Sequence, residues 1–341
     1  MKDLEIITEQ PLNAEVRLSS LDGSHLPQDR LYMRNSFDMP EPSRISGEVE
    51  VVLPGREPTK LTAGELSDLD QVTLDMVLEC AGNGRSLARP VPPGLAWHLG
   101  GVSPIRVTGV RLRDLLQDIP SEVVDLVFTG GDQGEVRPEG VVNYQFSIGR
   151  ELAGSATPML VTGIAAEPLG HEHGGPVRLV VPGHYAMKSV KWLTRIEGVT
   201  EPFAGHFVNR YRYLGDNEFE DGEPVGPIQV RSVISRPEDG SRVARVPPIT
   251  VVGSAWSGQG AITLVEVSVD DGETWAKADL VRGETDLAVT GWRHNLTLDR
   301  GRHTVLARAS DATGATQPLE PRWNRLGYAN NMVHRVSFEV G

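Results

Sequence analysis

The stretch LECAGNGRS, residues 78–86, holds the chain's single cysteine, Cys80. A thiol there has three chemistries open to it: a small buried hydrophobe, a nucleophile, or a soft metal ligand. Its neighbours bear on the choice. Gly82 and Gly84 permit close approach of another group to the backbone, and Arg85 supplies a positive field that favours thiolate. A cysteine nucleophile needs a histidine base and an orienting partner. Nine histidines are present, but no local cysteine-hydrolase signature surrounds Cys80. A metal held by Cys80 would need its other donors from outside this stretch. A second candidate is HEHGG, where His171 and His173 could present two imidazoles to zinc; no third ligand stands at recognisable spacing.

The flanking pattern says what must position these groups. LTAGELSDLDQ reads as a short helix with Thr62 as N-cap and Glu65 completing a capping box, followed by the strand VTLDMVLEC. Cys80 is therefore expected where a strand gives way to a glycine turn. GVRLRDLLQDIP, with Val110, Leu112, Leu115 and Leu116 at helical spacing, predicts a helix stopping at Pro120. VVDLVFTGG, PMLVTGIA and PVRLVVPG read as short strands ended by Gly or Pro. Beyond residue 227 the pattern is strands throughout, with an Asp271-Gly272 hairpin turn and about seven strands at roughly 8–12-residue spacing, as in an immunoglobulin-like sandwich. The expected class is α+β, with a mixed α/β domain over 1–225 and a β-sandwich over 227–341, joined through the acidic, Gly/Pro-bearing EFEDGEPVGPIQV.

Composition excludes several functions. A formal charge of −13 with no basic stripe argues against nucleic-acid binding. A lone cysteine rules out an internal disulfide framework, and no C-x-x-C-H motif for covalent haem occurs. No apolar run approaches the ~20 residues of a membrane helix, and the first residues lack a basic start and an apolar stretch. The expectation is a cytoplasmic protein without membrane association.

LECAGNGRS resembles the Cys-Ala-Gly-Asn-x-Arg segment of the sulfite oxidase family. Six further segments agree with that family in chain order: LYMRNS, GLAWHLGGVSPIRVTGVRLRDLL, NYQFSIGREL, HEHGGPVRLVVPG, SVKWLTRIEGV and WNRLGYANNMVHRV. The resemblance implies molybdenum bound by a pyranopterin dithiolene (molybdopterin), with Cys80 as the protein's metal ligand and no haem. One thiolate then suffices because the cofactor brings the remaining sulfurs. It implies that Arg34, Arg85 and Lys191 face an anionic substrate or cofactor, guanidinium forks matching oxyanions. It makes Tyr144 and Trp97 substrate-pocket residues. It assigns Arg34, Asn35, Ser36, Asp132, His173, Arg178, Ser189, Val190 and Lys191 to the cofactor.

Three departures bear on the substrate. Ser36 stands where the family usually has histidine, and Gly84 where arginine often precedes Arg85. In WNRLGYANN, Arg325 lies one position before the family's sulfite-binding arginine and Leu326 takes its place. Asn330-Asn331 resembles the nitrate-reducing branch, whereas Trp97 resembles the sulfite-oxidising one. A one-residue displacement on an extended segment turns a side chain to the other face. The expected reaction is two-electron oxygen-atom transfer, sulfite to sulfate, in a homodimer that delivers electrons to a separate acceptor. The alternative on the same centre is reduction of nitrate or of a sulfoxide or N-oxide. Alternatives of other classes are a cofactor-free binding protein with an interaction module and a zinc hydrolase built on His171 and His173.

Overall fold

The computed structural model describes residues 4–214 and 222–341. Strands dominate, and each helix is a turn or two long. Two five-stranded sheets and a two-stranded hairpin, Leu4–Glu9 with Leu12–Val16, form the first part of the molecule. One runs in the order Glu167–Pro168, Met159–Ile164, Val102–Arg111, Val72–Glu79, with Arg178–Val180 also pairing on Met159–Ile164. The other runs Thr59–Thr62, Glu48–Val52, Leu193–Val199, Asp125–Val136, Gly140–Gly149, and its pairing of Glu48–Val52 with Leu193–Val199 is parallel. One continuous core, including Met76, Ile105, Phe128, Leu160 and Ile196, lies between them.

The helix at Ala63–Asp68 has the predicted capping box: the Thr62 hydroxyl accepts from the Glu65 amide, and Glu65 accepts from the Thr62 amide at 2.8 Å. The predicted helix over 109–120 shrinks to Leu112–Leu115. Val110 belongs to the preceding strand, where it pairs with Leu160, so sheet pairing prevails over helical spacing there.

A sandwich follows. Its four-stranded sheet is Arg231–Arg236, Ile249–Trp256, Thr290–Leu296, Asp279–Val281. Its five-stranded sheet is Arg242–Val243, His334–Val340, Gly301–Asp311, Ile262–Ser268, Ala276–Lys277. Inward-facing Val251, Val265, Trp292, Val305 and Phe338 fill the space between, each contributing about 1.5–3 kcal/mol by burial. Asp271 and Gly272 both have positive φ in the hairpin turn, which spans 269–275 rather than two residues. The start of the predicted joining stretch, 218–221, lies outside the described residues.

The two parts share an interface around Cys80. Val72–Glu79 begins as a half-exposed strand and ends with Met76 to Glu79 all buried, because the sandwich covers its last residues. No helix among the described residues is long and apolar enough to cross a membrane.

Candidate active site

Cys80 sits one residue past the Val72–Glu79 strand, as the pattern predicts, and its amide donates to the Gly101 carbonyl at 2.8 Å. The turn that follows is stitched to the tryptophan loop: Gly84 donates to the His98 carbonyl, Ser86 to that of Trp97 at 3.1 Å, and Gly101 to Asn83 Oδ1 at 3.0 Å. Both glycines have a structural cause. Gly84 is left-handed (φ 82°), and a Cβ on Gly82 would stand 2.8 Å from the Arg85 guanidinium nitrogens.

Two cavities meet at this thiol. Cys80, Arg34 and Tyr211 line both. The deeper one also takes in Ser36, Asp132, Tyr144, His173, Arg178, Ser189 and Lys191. The outer one takes in Arg85, Trp97, Arg210, Tyr328 and Leu326. Burial pushes the Cys80 thiol up; Arg34, the Gly82 amide and Arg85 pull it down, and Glu79 pushes it further up, with a net rise. A thiol raised in this way is a poor free nucleophile and becomes thiolate only when an added positive centre stabilises it. The ligand reading therefore accounts for its surroundings better than the nucleophile reading.

The deep cavity carries three cations, Arg34, Arg178 and Lys191, two carboxylates, Asp132 and Glu172, and neutral hydrogen-bonding groups. Arg178 donates to the carbonyls of His173 (2.8 Å) and Ser189 (3.2 Å), which fixes its guanidinium at the wall. Its Nε and Asp132 Oδ1 are buried without a partner. Orphaned polar atoms on a cavity wall mark places where a ligand completes the hydrogen bonding. His173 is held neutral, near 4, by burial. Its Nε2 lies 2.7 Å from the Gln28 carbonyl, so that nitrogen carries the proton and Nδ1 remains an acceptor. Burial drives the Lys191 ammonium down and the Asp132 carboxyl up, and each offsets the other in part. Asn35 lines neither cavity. Its Oδ1 accepts from Lys191 Nζ while its Nδ2 donates to Leu12, so it positions Lys191. Val190, expected at the cofactor, lines neither cavity: its side chain is fully buried in the core, and its carbonyl accepts from the Leu179 amide at 2.9 Å.

A molybdenum-pterin group fits this donor set. Arg178, Asp132, Ser189, Lys191 and His173 would hold its polar parts, with Arg34 and Ser36 lining the same cavity, and the Cys80 thiol would serve as its soft protein ligand. His171 does not join them. It lies with His173 on a 3-10 turn rather than a strand, 2.7 Å from the Pro40 carbonyl, and no three metal-binding side chains of that kind converge among the described residues.

The outer cavity carries three cations, Arg34, Arg85 and Arg210, in a protein of charge −13. Arg85 is committed mainly to structure, donating to the carbonyls of Leu326 (2.9 Å) and Leu95 (2.8 Å) and lying over the Tyr328 ring. Trp97 is fully buried at the cavity wall. Tyr144 lies only in the deeper cavity and donates its hydroxyl to the Met187 carbonyl at 2.7 Å. Tyr211, absent from the sequence expectations, is the tyrosine that touches both cavities; its ring packs 5.2 Å from that of Tyr328. Arg210 ends the short helix His206–Arg210 and Tyr211 caps it, its carbonyl accepting from the Val225 amide at 3.0 Å; the only sequence signal of NRYRY is a cluster of arginine and tyrosine outside any clear period. The displaced arginine is resolved: Leu326 lines the outer cavity and Arg325 is exposed outside it. Asn330 and Asn331 line neither cavity, and instead donate to Gly84 (2.7 Å) and Val230 (3.1 Å).

Comparison with known proteins agrees with this geometry. Residues 39–207 match the oxidoreductase molybdopterin binding domain and 224–341 the Mo-co oxidoreductase dimerisation domain. The chain is 31% identical to sulfite oxidase of Gallus gallus, over 97% of this chain and 77% of that one. It is 30% identical to mitochondrial sulfite oxidase of Mus musculus, covering 99% of this chain and 66% of that protein's length. The similarity extends to nitrate reductase [NAD(P)H] of Hordeum vulgare, at 29% identity and 41% of that protein. The sulfane dehydrogenase SoxCD from Paracoccus pantotrophus has the same fold, with a TM-score of 0.82 over 96% of this chain and 84% of that one at 24% identity. With a buried thiol opening on a cavity lined by Arg34, Arg178 and Lys191 and both domains matched, the chain belongs to the sulfite oxidase family of molybdopterin oxidoreductases.

Proposed function

We propose that this oxidoreductase oxidises sulfite to sulfate and passes the electrons to a separate acceptor. The observation that carries the reading is that Arg34 and Tyr211 line both cavities with Cys80. An oxyanion held by Arg34 in the outer chamber is thereby adjacent to whatever Cys80 ligates. The bound molybdenum-pterin group would supply the two-electron couple and the transferable oxygen. The chain's own residues do the rest. Arg34 and Arg210 draw and orient the anion, Tyr211 offers a hydroxyl at the junction, and the buried walls of Trp97 and Tyr328, with half-buried Leu95, limit water so that these charges act at short range.

A second reading, reduction of nitrate or of an S- or N-oxide, is favoured by one feature: Leu326, not an arginine, faces the outer chamber. Asn330 and Asn331 do not add to it, because they brace the cysteine turn and the sandwich. We read residues 227–341 as the homodimer contact and 1–225 as the cofactor domain, in a cytoplasmic protein.

Elemental analysis and steady-state assays test this. Stoichiometric molybdenum, lost in Cys80→Ser, with sulfite turnover to an artificial acceptor is the expected result. Nitrate turnover without sulfite turnover overturns the substrate. Absence of molybdenum from protein made with cofactor biosynthesis intact overturns the whole reading in favour of a binding protein.

A further inference from the structure

Glu79, the residue before the proposed ligand, is fully buried, yet its carboxylate is held largely from the other domain. Trp256 Nε1 donates to its Oε2 at 2.8 Å, and Arg231 Nε lies 3.1 Å from its Oε1 as an ion pair. Both partners lie on sandwich strands, Ile249–Trp256 and Arg231–Arg236. Asn83, inside the cysteine turn, donates to Oε1 at 2.9 Å, and Arg231 Nη2 donates back to the Asn83 carbonyl at 3.3 Å. One guanidinium therefore grips the turn on both sides of Cys80, through the side chain of residue 79 and the backbone of residue 83.

Gly84 shows how close the approach is. A Cβ there would stand 3.3 Å from Arg231 Nη1 and 3.4 Å from Asn330 Nδ2. The backbone closes up beside these groups: Asn330 donates to the Gly84 carbonyl at 2.7 Å and Ala329 to that of Ala81 at 2.8 Å. These contacts go beyond covering a surface. A buried carboxylate needs a charged partner and hydrogen bonds; the Arg231 charge, an ion pair whose Nε makes no hydrogen bond, and the Trp256 donor both come from residues 231–256, and Asn83 adds the remaining donor.

We propose that Arg231 is a positioning residue for the Cys80 turn: through Glu79 and Asn83 it fixes the direction of the thiol, so the sandwich is an integral outer shell of the metal-ligand site. This rests on the proposed ligation of molybdenum by Cys80. Outer partners of a ligand orient it and typically affect metal retention about 10–100-fold when removed.

The test uses the full chain purified with its cofactor, reading molybdenum per chain and the rate of Cys80 alkylation, with near-ultraviolet dichroism as the check on folding. Arg231→Lys keeps the charge but replaces a fork by a point. Glu79→Gln with Arg231→Met removes both buried charges together, so neither is left unpaired. Both are expected to stay folded, lose molybdenum on dialysis about tenfold faster and expose Cys80 to alkylation correspondingly faster. If either folds and retains wild-type molybdenum and thiol protection, the pair serves stability alone and the assignment fails. A second measurement needs no variant. In hydrogen exchange under rising denaturant, the amides of Cys80, Asn83 and Gly84 should open in one step with those of Val233 and Ile234. Opening of the sandwich amides while the turn stays protected overturns the proposal. A wild-type protein without molybdenum would sink the proposed function instead, and leaves the exchange experiment to decide this point by itself.

Discussion

Arg85 donates from Nε to the carbonyl of Leu326 at 2.9 Å, joining residues 241 positions apart across the domain interface. The same guanidinium donates to Leu95 at 2.8 Å, so a residue whose type suggests anion binding spends two of its donors on tying the outer chamber's walls together. Arg85→Met leaves both carbonyls without that donor. Hydrogen bonds from a charged group contribute about 1.5–3 kcal/mol each, so the variant should lose about 3 kcal/mol of stability, read as a lower urea midpoint. A midpoint within error of the wild type would show that solvent replaces the contacts.

Leu326 faces the outer chamber while Arg325 is exposed, so Leu326→Arg would add a fourth cation to that wall. For an oxyanion substrate, one new charge-assisted bond should lower KM about tenfold, given roughly 1.5–3 kcal/mol for such a bond. Steady-state kinetics with sulfite and nitrate check this. An unchanged KM for both would place the substrate away from Leu326.

Glu15 carries a pH dependence of one sign. Its Oε2 accepts from the amides of His98 (3.0 Å) and Gly100 (3.2 Å), anchoring the tryptophan loop. Burial raises its carboxyl to about 7, the two amides acting against that rise and Glu5 adding to it. The folded state therefore holds a proton between about pH 4.5 and 7 that the unfolded chain releases, so this group's contribution is full below pH 4.5 and is lost as pH rises through 7. Glu15→Gln keeps an acceptor for the amides and cannot ionise. It should match the wild type at pH 5 and exceed it at pH 8 by about 3 kcal/mol, at about 1.4 kcal/mol per pKa unit. Urea midpoints at the two pH values decide; equal differences at both would refute the linkage.

Three buried histidines act in the opposite direction. Burial lowers His173 and His184 to about 4 and His334 to about 3. Each is neutral in the fold; His334 Nδ1 accepts from the Ile234 amide at 2.9 Å, a role protonation abolishes. Their stabilisation is complete above the unfolded value of 6.5 and is lost as pH falls toward 4. Glu15, Asp132 and Glu79, raised by burial, act the other way, so a variant isolates the histidine share: His334→Gln, which cannot take up a proton, should lose less stability than the wild type from pH 7 to pH 5, measured by urea unfolding. An equal loss in both proteins contradicts the burial of this ring.

Local chemistry was readable wherever a short stretch contained its own cause. Thr62 and Glu65 are three apart and cap one helix. A strand pattern ending in glycines puts Cys80 at a turn. Leu326 lines the chamber and Arg325 is exposed outside it, but the segment expected to be extended is a turn, with Gly327 donating to the Asn324 carbonyl at 3.0 Å. The helix over 109–120 was overestimated because Val110 answers to a strand partner, Leu160, that local spacing does not contain.

The sequence by itself determined the lone thiol, its glycine turn, the sandwich and the family, since each is carried by short stretches whose own pattern, or order along the chain, is enough. Tertiary structure alone decided which side chains share a cavity with Cys80. It brought Tyr211 to the junction, left Val190 in the core, turned Arg85 toward two carbonyls, and set Arg231 against Glu79. These outcomes depend on contacts between residues far apart in the chain, where burial makes an unpaired polar group costly and so selects the partner; nothing in the local pattern carries that information.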